Sequence, residues 1–220
     1  MTSLILLHGA SQTPLAWRKT ADRLPSVWAV AAPLLHGRNN TANMLHAAET
    51  EVAGIYAPGE RIVIAAEEAA PVALELAAKG GAAGVLLTEP VFRVGKTAQV
   101  AALCAGLFRP RKNSDREREY ATREEKISYL RAIAQSMRSA GKGRDCAEKY
   151  MRACMEKGVS VRILCARKKR GAVREGRRMA RRFPRVEYFT IAGAKSGWNA
   201  YAPAQYAANI VEFAEKITAE

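Results

Sequence analysis

Three histidines, His8, His36 and His46, are the only ones in the chain, so base-assisted chemistry beyond residue 46 would need another kind of group. Two adjacent glutamates, Glu67 and Glu68, directly follow the apolar run RIVIAA. A carboxylate emerging from a buried strand can have its pKa raised and so move a proton on a bound small molecule. A solvated or salt-bridged carboxylate is the plainer role for Glu67. The four cysteines, Cys104, Cys146, Cys154 and Cys165, form no C-x-x-C pair and stand far in sequence from the histidines. That spacing argues for reduced thiols, and against a zinc centre or a disulfide framework. No metal and no cofactor is expected.

The second chemical feature is charge. The chain carries 35 Lys and Arg against 21 Asp and Glu, a formal net charge of +14. The excess lies between Arg109 and Arg185, which hold 25 basic and 9 acidic residues. Within this segment VREGRRMARRF places Arg174, Arg177, Arg178, Arg181 and Arg182 on three helical turns, broken by apolar residues that suit a face turned to a sheet. It reads first as an amphipathic surface helix. With Arg167, Lys168, Lys169 and Arg170 just before it, it could also attract nucleic acid, anionic lipid, a phosphorylated ligand or an acidic protein. No aromatic-interleaved nucleic-acid motif accompanies it.

These residues need a scaffold, and 220 residues suffice for one domain with a full core. Short apolar runs at Leu4–Leu7, Val27–Ala32, Arg61–Ala66, Gly84–Leu87, Val161–Ala166 and Val186–Ile191 predict buried strands of a mostly parallel sheet. Helical stretches at Trp17–Leu24, Ala70–Lys79, Val173–Phe183 and Pro203–Ile217 alternate with them, as in a doubly wound α/β domain. Residues 92–158 interrupt that rhythm. Helices predicted over Arg123–Ala140 and Asp145–Lys157 make this segment a helical cap inserted into a core formed by residues 1–91 and 159–220. No apolar run is long enough to cross a bilayer, and MTSLILLHGA reads as a strand rather than a leader, so a cytoplasmic protein is expected.

Several stretches together resemble the α/β-hydrolase superfamily. The opening strand, His8-Gly9-Ala10, Trp17 and a helix are similar to that family's strand–HG–helix start, whose backbone amides help form the oxyanion hole. APLLHGRN (Ala32–Asn39) is similar to its proline-rich loop, and His8 and His36 there read as structural. RIVIAAEEAAPVALELAAKG (Arg61–Gly80) resembles its strand–elbow–helix, VRILCARKKR its acid-bearing strand, and IAGAKSGWNAYAPAQYAANIVEFA its histidine loop and last helix. The resemblance implies a sheet of about six strands without the family's first two, flanked by helices. It implies a site around His8, Gly9, Ala10, Trp17, Glu67, Ala69 and Trp198.

The departures carry the functional expectation. Where the family has G-x-S-x-G, this sequence reads Ala66-Glu67-Glu68-Ala69-Ala70, with Glu68 at the nucleophile position. Lys169, or Lys168 in the neighbouring register, stands at the acid position, and Ser196 at the histidine position. Without a triad, only the residual catalysis of an oxyanion hole and binding would remain. The expectation is a protein that is no conventional serine hydrolase and binds a small ligand or protein partner through its pocket and cap. Glu68 and Lys169 are expected to form an ion pair there. The alternatives are a hydrolase or lyase-type enzyme using Glu68 with Lys169 and Ser196, and a binder of acidic partners through the basic surface. A carboxylate nucleophile like the aspartate of the haloalkane dehalogenase branch would still need the missing histidine.

Overall fold

The computed structural model describes residues 2–38, 41–53, 60–92, 120–139, 144–195 and 197–219. Six strands form one sheet: β1 (Ser3–Leu7), β2 (Ala29–Ala31), β3 (Arg61–Ala66), β4 (Gly84–Thr88), β5 (Ser160–Ala166) and β6 (Glu187–Ile191). Their order is β2-β1-β3-β4-β5-β6, and every neighbouring pair is parallel. All six expected strands are present. β2 is shorter than the apolar run Val27–Ala32, because a turn closed by Trp28 N–H on the Pro25 carbonyl leads into it and Pro33 follows soon after.

Strand side chains alternate between two buried layers, as the pleat requires. Ile5, Leu7, Val63, Val85, Leu87 and Ile163 face one cluster, while Leu4, Leu6, Ile62, Ile64, Leu86 and Leu164 face the other. Full burial of each such side chain contributes roughly 1.5–3 kcal/mol. The first layer is covered by α2 (Thr41–Ala53), α3 (Ala70–Leu76), α4 (Arg123–Ser139), α5 (Arg144–Glu156) and α6 (Arg170–Arg182). The second is covered by the short α1 (Arg18–Ala21), α7 (Trp198–Tyr201) and the long α8 (Pro203–Ala219).

The expected cap is described only in part. Residues 93–119 and 140–143 of that segment lie outside the described residues. Helix α5, expected in the cap, packs against α3 and β5: Ala147, Met151 and Cys154 join the first cluster, and the Cys154 thiol points to the Leu74 carbonyl at 3.5 Å. Its apolar face needs a partner, and α3 supplies one. Helix α4 reaches the strand ends, where Tyr129 is fully buried. Among the described residues no helix is long and apolar enough to cross a membrane. Cys146, Cys154 and Cys165 are unpaired and buried, and Cys104 lies outside the described residues.

Gly176 lets α6 approach the sheet. A Cβ there would lie 2.7 Å from Tyr188 Cε2 and 3.1 Å from Ile163 Cγ2. Gly176→Ala should gain about 1 kcal/mol of helix propensity and lose about 1–3 kcal/mol to overpacking. Urea denaturation should therefore show a net loss of stability, whereas a gain would mean that α6 can withdraw freely.

Candidate functional site

In the strand order β2-β1-β3 the chain turns back on itself between β1 and β3, the place where open parallel sheets form a crevice. Residues 8–10 follow β1 and residues 67–69 follow β3 at that crevice. Gly9 allows the two loops to touch, since a Cβ on it would lie 3.0 Å from Glu67 Oε2 and 3.2 Å from Glu67 Cβ. Glu89 follows β4 and Lys169 follows β5, so four neighbouring strand ends contribute to one cluster.

The loop after β1 is fixed through three consecutive carbonyls. The Tyr129 hydroxyl donates to the His8 carbonyl at 3.0 Å. His8 Nδ1–H donates to the Gly9 carbonyl at 3.0 Å, and His36 Nε2–H donates to the Ala10 carbonyl at 3.2 Å. The tautomer of His8 follows from its other side, where Leu35 N–H donates to Nε2 at 3.1 Å and so makes that nitrogen an acceptor. The three rings pack together, with centroids 4.6 Å apart for His8–His36 and 5.3 Å for His36–Tyr129. Burial drives His8 down to about 3, a shift that its Gly9 bond opposes and the nearby His36 reinforces. Burial likewise lowers His36 and pushes Tyr129 well above its ordinary value. His8 and His36 are therefore neutral scaffold groups at pH 7. The third histidine, His46, is exposed on α2.

With its carbonyl held, Ala10 turns its N–H towards Glu68 and donates to Oε2 at 3.1 Å. The Glu68 carboxylate also takes a hydrogen bond from its own backbone N–H. Burial raises Glu68 to about 7, and the neighbouring Glu67 charge adds to that rise. The two amides and the Lys169 charge offset part of it.

Lys169 does not pair with Glu68, contrary to the expected ion pair. Its ammonium bonds to Glu67 Oε1 and, at 3.1 Å, to Glu89 Oε2. The backbone explains the exchange. Glu67 has φ 52°, so the sharp turn between β3 and α3 falls on Glu67, one residue earlier than the sequence reading placed it. That turn swings the Glu67 side chain towards the β5 loop and leaves Glu68 beside Ala10. Burial pulls the Lys169 pKa down, but Glu67 and Glu89 outweigh it and hold the ammonium above its ordinary value. The Lys169 side chain is 29% exposed and Glu67 15%, so the pair meets solvent, whereas Glu89 is 1% exposed.

Glu89 was missed in the sequence, although it follows GVLLT as directly as Glu67 follows RIVIAA. It too has positive φ, 51°, and its Oε2 accepts Gly197 N–H at 3.3 Å. Tyr129 gave no sequence signal beyond lying on a predicted helix. Trp17 and Trp198 pack around Tyr206 at 5.5 and 4.6 Å in the second hydrophobic cluster, and Ala69 is buried in the first. Ser196 lies outside the described residues. Of the basic residues singled out on α6, Arg178 pairs with Glu148 and Glu175 and Arg182 with Glu148, while Arg174, Arg177 and Arg181 have no carboxylate partner among the described residues. Among the described residues no group of His, Cys, Asp and Glu converges in a way that would hold a metal ion.

No protein-family model and no curated protein matches the sequence. Solved structures do resemble the fold. The haloalkane dehalogenase DbeA from Bradyrhizobium elkani aligns over 99% of this chain and 91% of its own, with 14% identity and a TM-score of 0.70. A carboxylesterase structure from the thaumarchaeon Nitrososphaera gargenis aligns over 99% and 91%, with 12% identity and a TM-score of 0.69. AqDC, which recognises and cleaves the ring of the Pseudomonas quinolone signal, aligns over 96% and 91%, with 17% identity and a TM-score of 0.69. The chain therefore has the α/β-hydrolase fold.

The buried neutral His8 makes acid stability testable. Its pKa is about 6.5 in an unfolded chain and about 3 in the fold. The stability that it contributes is thus complete above pH 6.5 and lost as pH falls from there towards 3, at up to about 1.4 kcal/mol per pH unit. His8→Asn keeps a donor and an acceptor but cannot titrate. Denaturation midpoints between pH 4 and 8 should fall less steeply on acidification in that variant, and equal slopes would mean that His8 is charged in the fold.

Proposed function

We propose that this is a non-hydrolytic protein with the α/β-hydrolase fold, which binds a small ligand at the ends of β1, β3, β4 and β5 beneath α4. In this reading the site at those strand ends is a fixed charge cluster. The observation that carries it is the hydrogen bond from Ala10 N–H to the Glu68 carboxylate. Catalysis of acyl transfer needs such amides free for the oxyanion that develops on the substrate. Here a resident carboxylate takes their place, and the scaffold histidines are too deeply desolvated to act as a base near neutral pH. Glu67, the residue at the strained turn, is tied to Lys169. A ligand would meet the cluster from the solvent side of Glu67 and Lys169.

A second reading rests on the Glu68 pKa of about 7. A carboxyl group poised there is matched to general acid–base work at neutral pH, with Lys169 holding the neighbouring charges and Ser196 as a hydrogen-bond donor. Proton transfer on a carbonyl compound is the reaction class that this group set would serve, as a lyase or isomerase does.

Both readings can be tested together by incubating the protein in deuterated buffer with p-nitrophenyl acetate and a panel of small ketones, followed by proton NMR. The first reading predicts saturation transfer to one or more ketones that weakens in Glu67→Gln or Lys169→Met, with no ester hydrolysis above background. The second predicts solvent deuterium incorporation that is lost in Glu68→Gln. Ester hydrolysis abolished by Glu67→Gln would sink the first reading, because it would make Glu67 a working nucleophile.

A further inference from the structure

Helix α6 presents a stripe of arginines that the candidate site does not use. Arg170, Arg174, Arg177 and Arg181 repeat at intervals of four, three and four residues, so they line one face, and Arg167 extends the line before the helix begins. All five are exposed. Arg177 shares a hydrogen bond with Tyr188, but among the described residues none of the five has a carboxylate partner. At 1.5 Å per residue the helical part of the stripe spans about 17 Å. It lines an open groove of about 850 Å³. Arg178 and Arg182, held by Glu148, form its other wall. The first turn of α6 carries no acidic residue of its own.

We propose that this stripe binds a nucleic acid strand through its phosphates, independently of the cluster around Glu67 and Glu68. Length and composition select the partner. Five guanidinium groups in a row match a repeating line of anions rather than one compact phosphorylated ligand, and each presents the planar donor fork that fits phosphate oxygens. An acidic protein would need an apolar anchor at the centre of its interface. Among the described residues the groove offers only the partly buried Val173. A membrane-surface helix would turn apolar side chains outward. Of those of α6, Ala172 and Met179 are buried against the sheet, and Val173 and Ala180 are partly buried, so no fully exposed apolar side chain is available. Among the described residues no exposed aromatic residue lines the groove to stack a base, so binding through it is independent of base sequence.

The test is fluorescence anisotropy with a fluorescein-labelled, mixed-sequence 20-nucleotide single-stranded DNA and its duplex. Five phosphate contacts predict a salt slope of about −3.5 on the single strand, and so roughly a hundredfold weaker binding at 200 mM than at 50 mM NaCl. The variant Arg170→Gln, Arg174→Gln, Arg177→Gln, Arg181→Gln keeps helix-forming residues and should lose both the binding and most of that slope. The corresponding four-lysine variant keeps the charges and should retain most of both. Absence of binding at 50 mM, or undiminished binding by the glutamine variant, would overturn the proposal. Stronger capture by polyglutamate of equal charge or by phosphatidylserine vesicles would also overturn it and assign the stripe to an acidic protein or a membrane surface.

Discussion

The site depends on the clamping of three consecutive carbonyls at the end of β1. Tyr129, His8 and His36 each donate to one of them, so the peptide planes of residues 8–10 cannot rotate freely. A backbone carbonyl buried without a donor would cost free energy comparable to a lost hydrogen bond. The clamp avoids that cost with groups that stay neutral. Its consequence is directional: the Ala10 N–H can only face the β3 loop, where Glu68 accepts it. Because Tyr129 lies on α4, the same clamp ties that helix to the sheet.

Electrostatics then settle which carboxylate does what. Three glutamates and one lysine converge on four strand ends, and a buried carboxylate without compensation is expensive. Lys169 compensates Glu67 and Glu89. Glu68 is left with two amide donors and the more distant field of Lys169, which is why its proton is held to about pH 7 while the lysine stays charged. Glu67 and Glu68 differ by a single position in sequence, yet the positive φ at Glu67 sends them to different partners.

Much of the fold was legible because parallel strands buried on both faces are continuous apolar runs, and all six were visible as such. The glycine of His8-Gly9-Ala10 and the carboxylates after RIVIAA also pointed to the crevice. What could not be read was the register of a turn to one residue: Ala65, Ala66, Ala69 and Ala70 are all small enough for a crowded corner, so composition left the strained position open. Glu89 and Tyr129 escaped for a related reason, since their roles arise only when β4 and α4 are brought to the ends of β1 and β5. The placement of α5 against α3 followed from tertiary packing, which helical periodicity within 92–158 does not encode.

The central claim is that the Glu68 carboxylate occupies the amide site at Ala10. It is tested most directly by following the Ala10 amide in ¹H–¹⁵N NMR spectra from pH 4 to 9. Ionisation of Glu68 should strengthen the hydrogen bond and move the Ala10 resonance downfield with a midpoint of about 7. That transition should vanish in Glu68→Gln. An Ala10 resonance that does not titrate in the native protein, or that titrates unchanged in Glu68→Gln, would contradict the account and leave the amide free for another ligand.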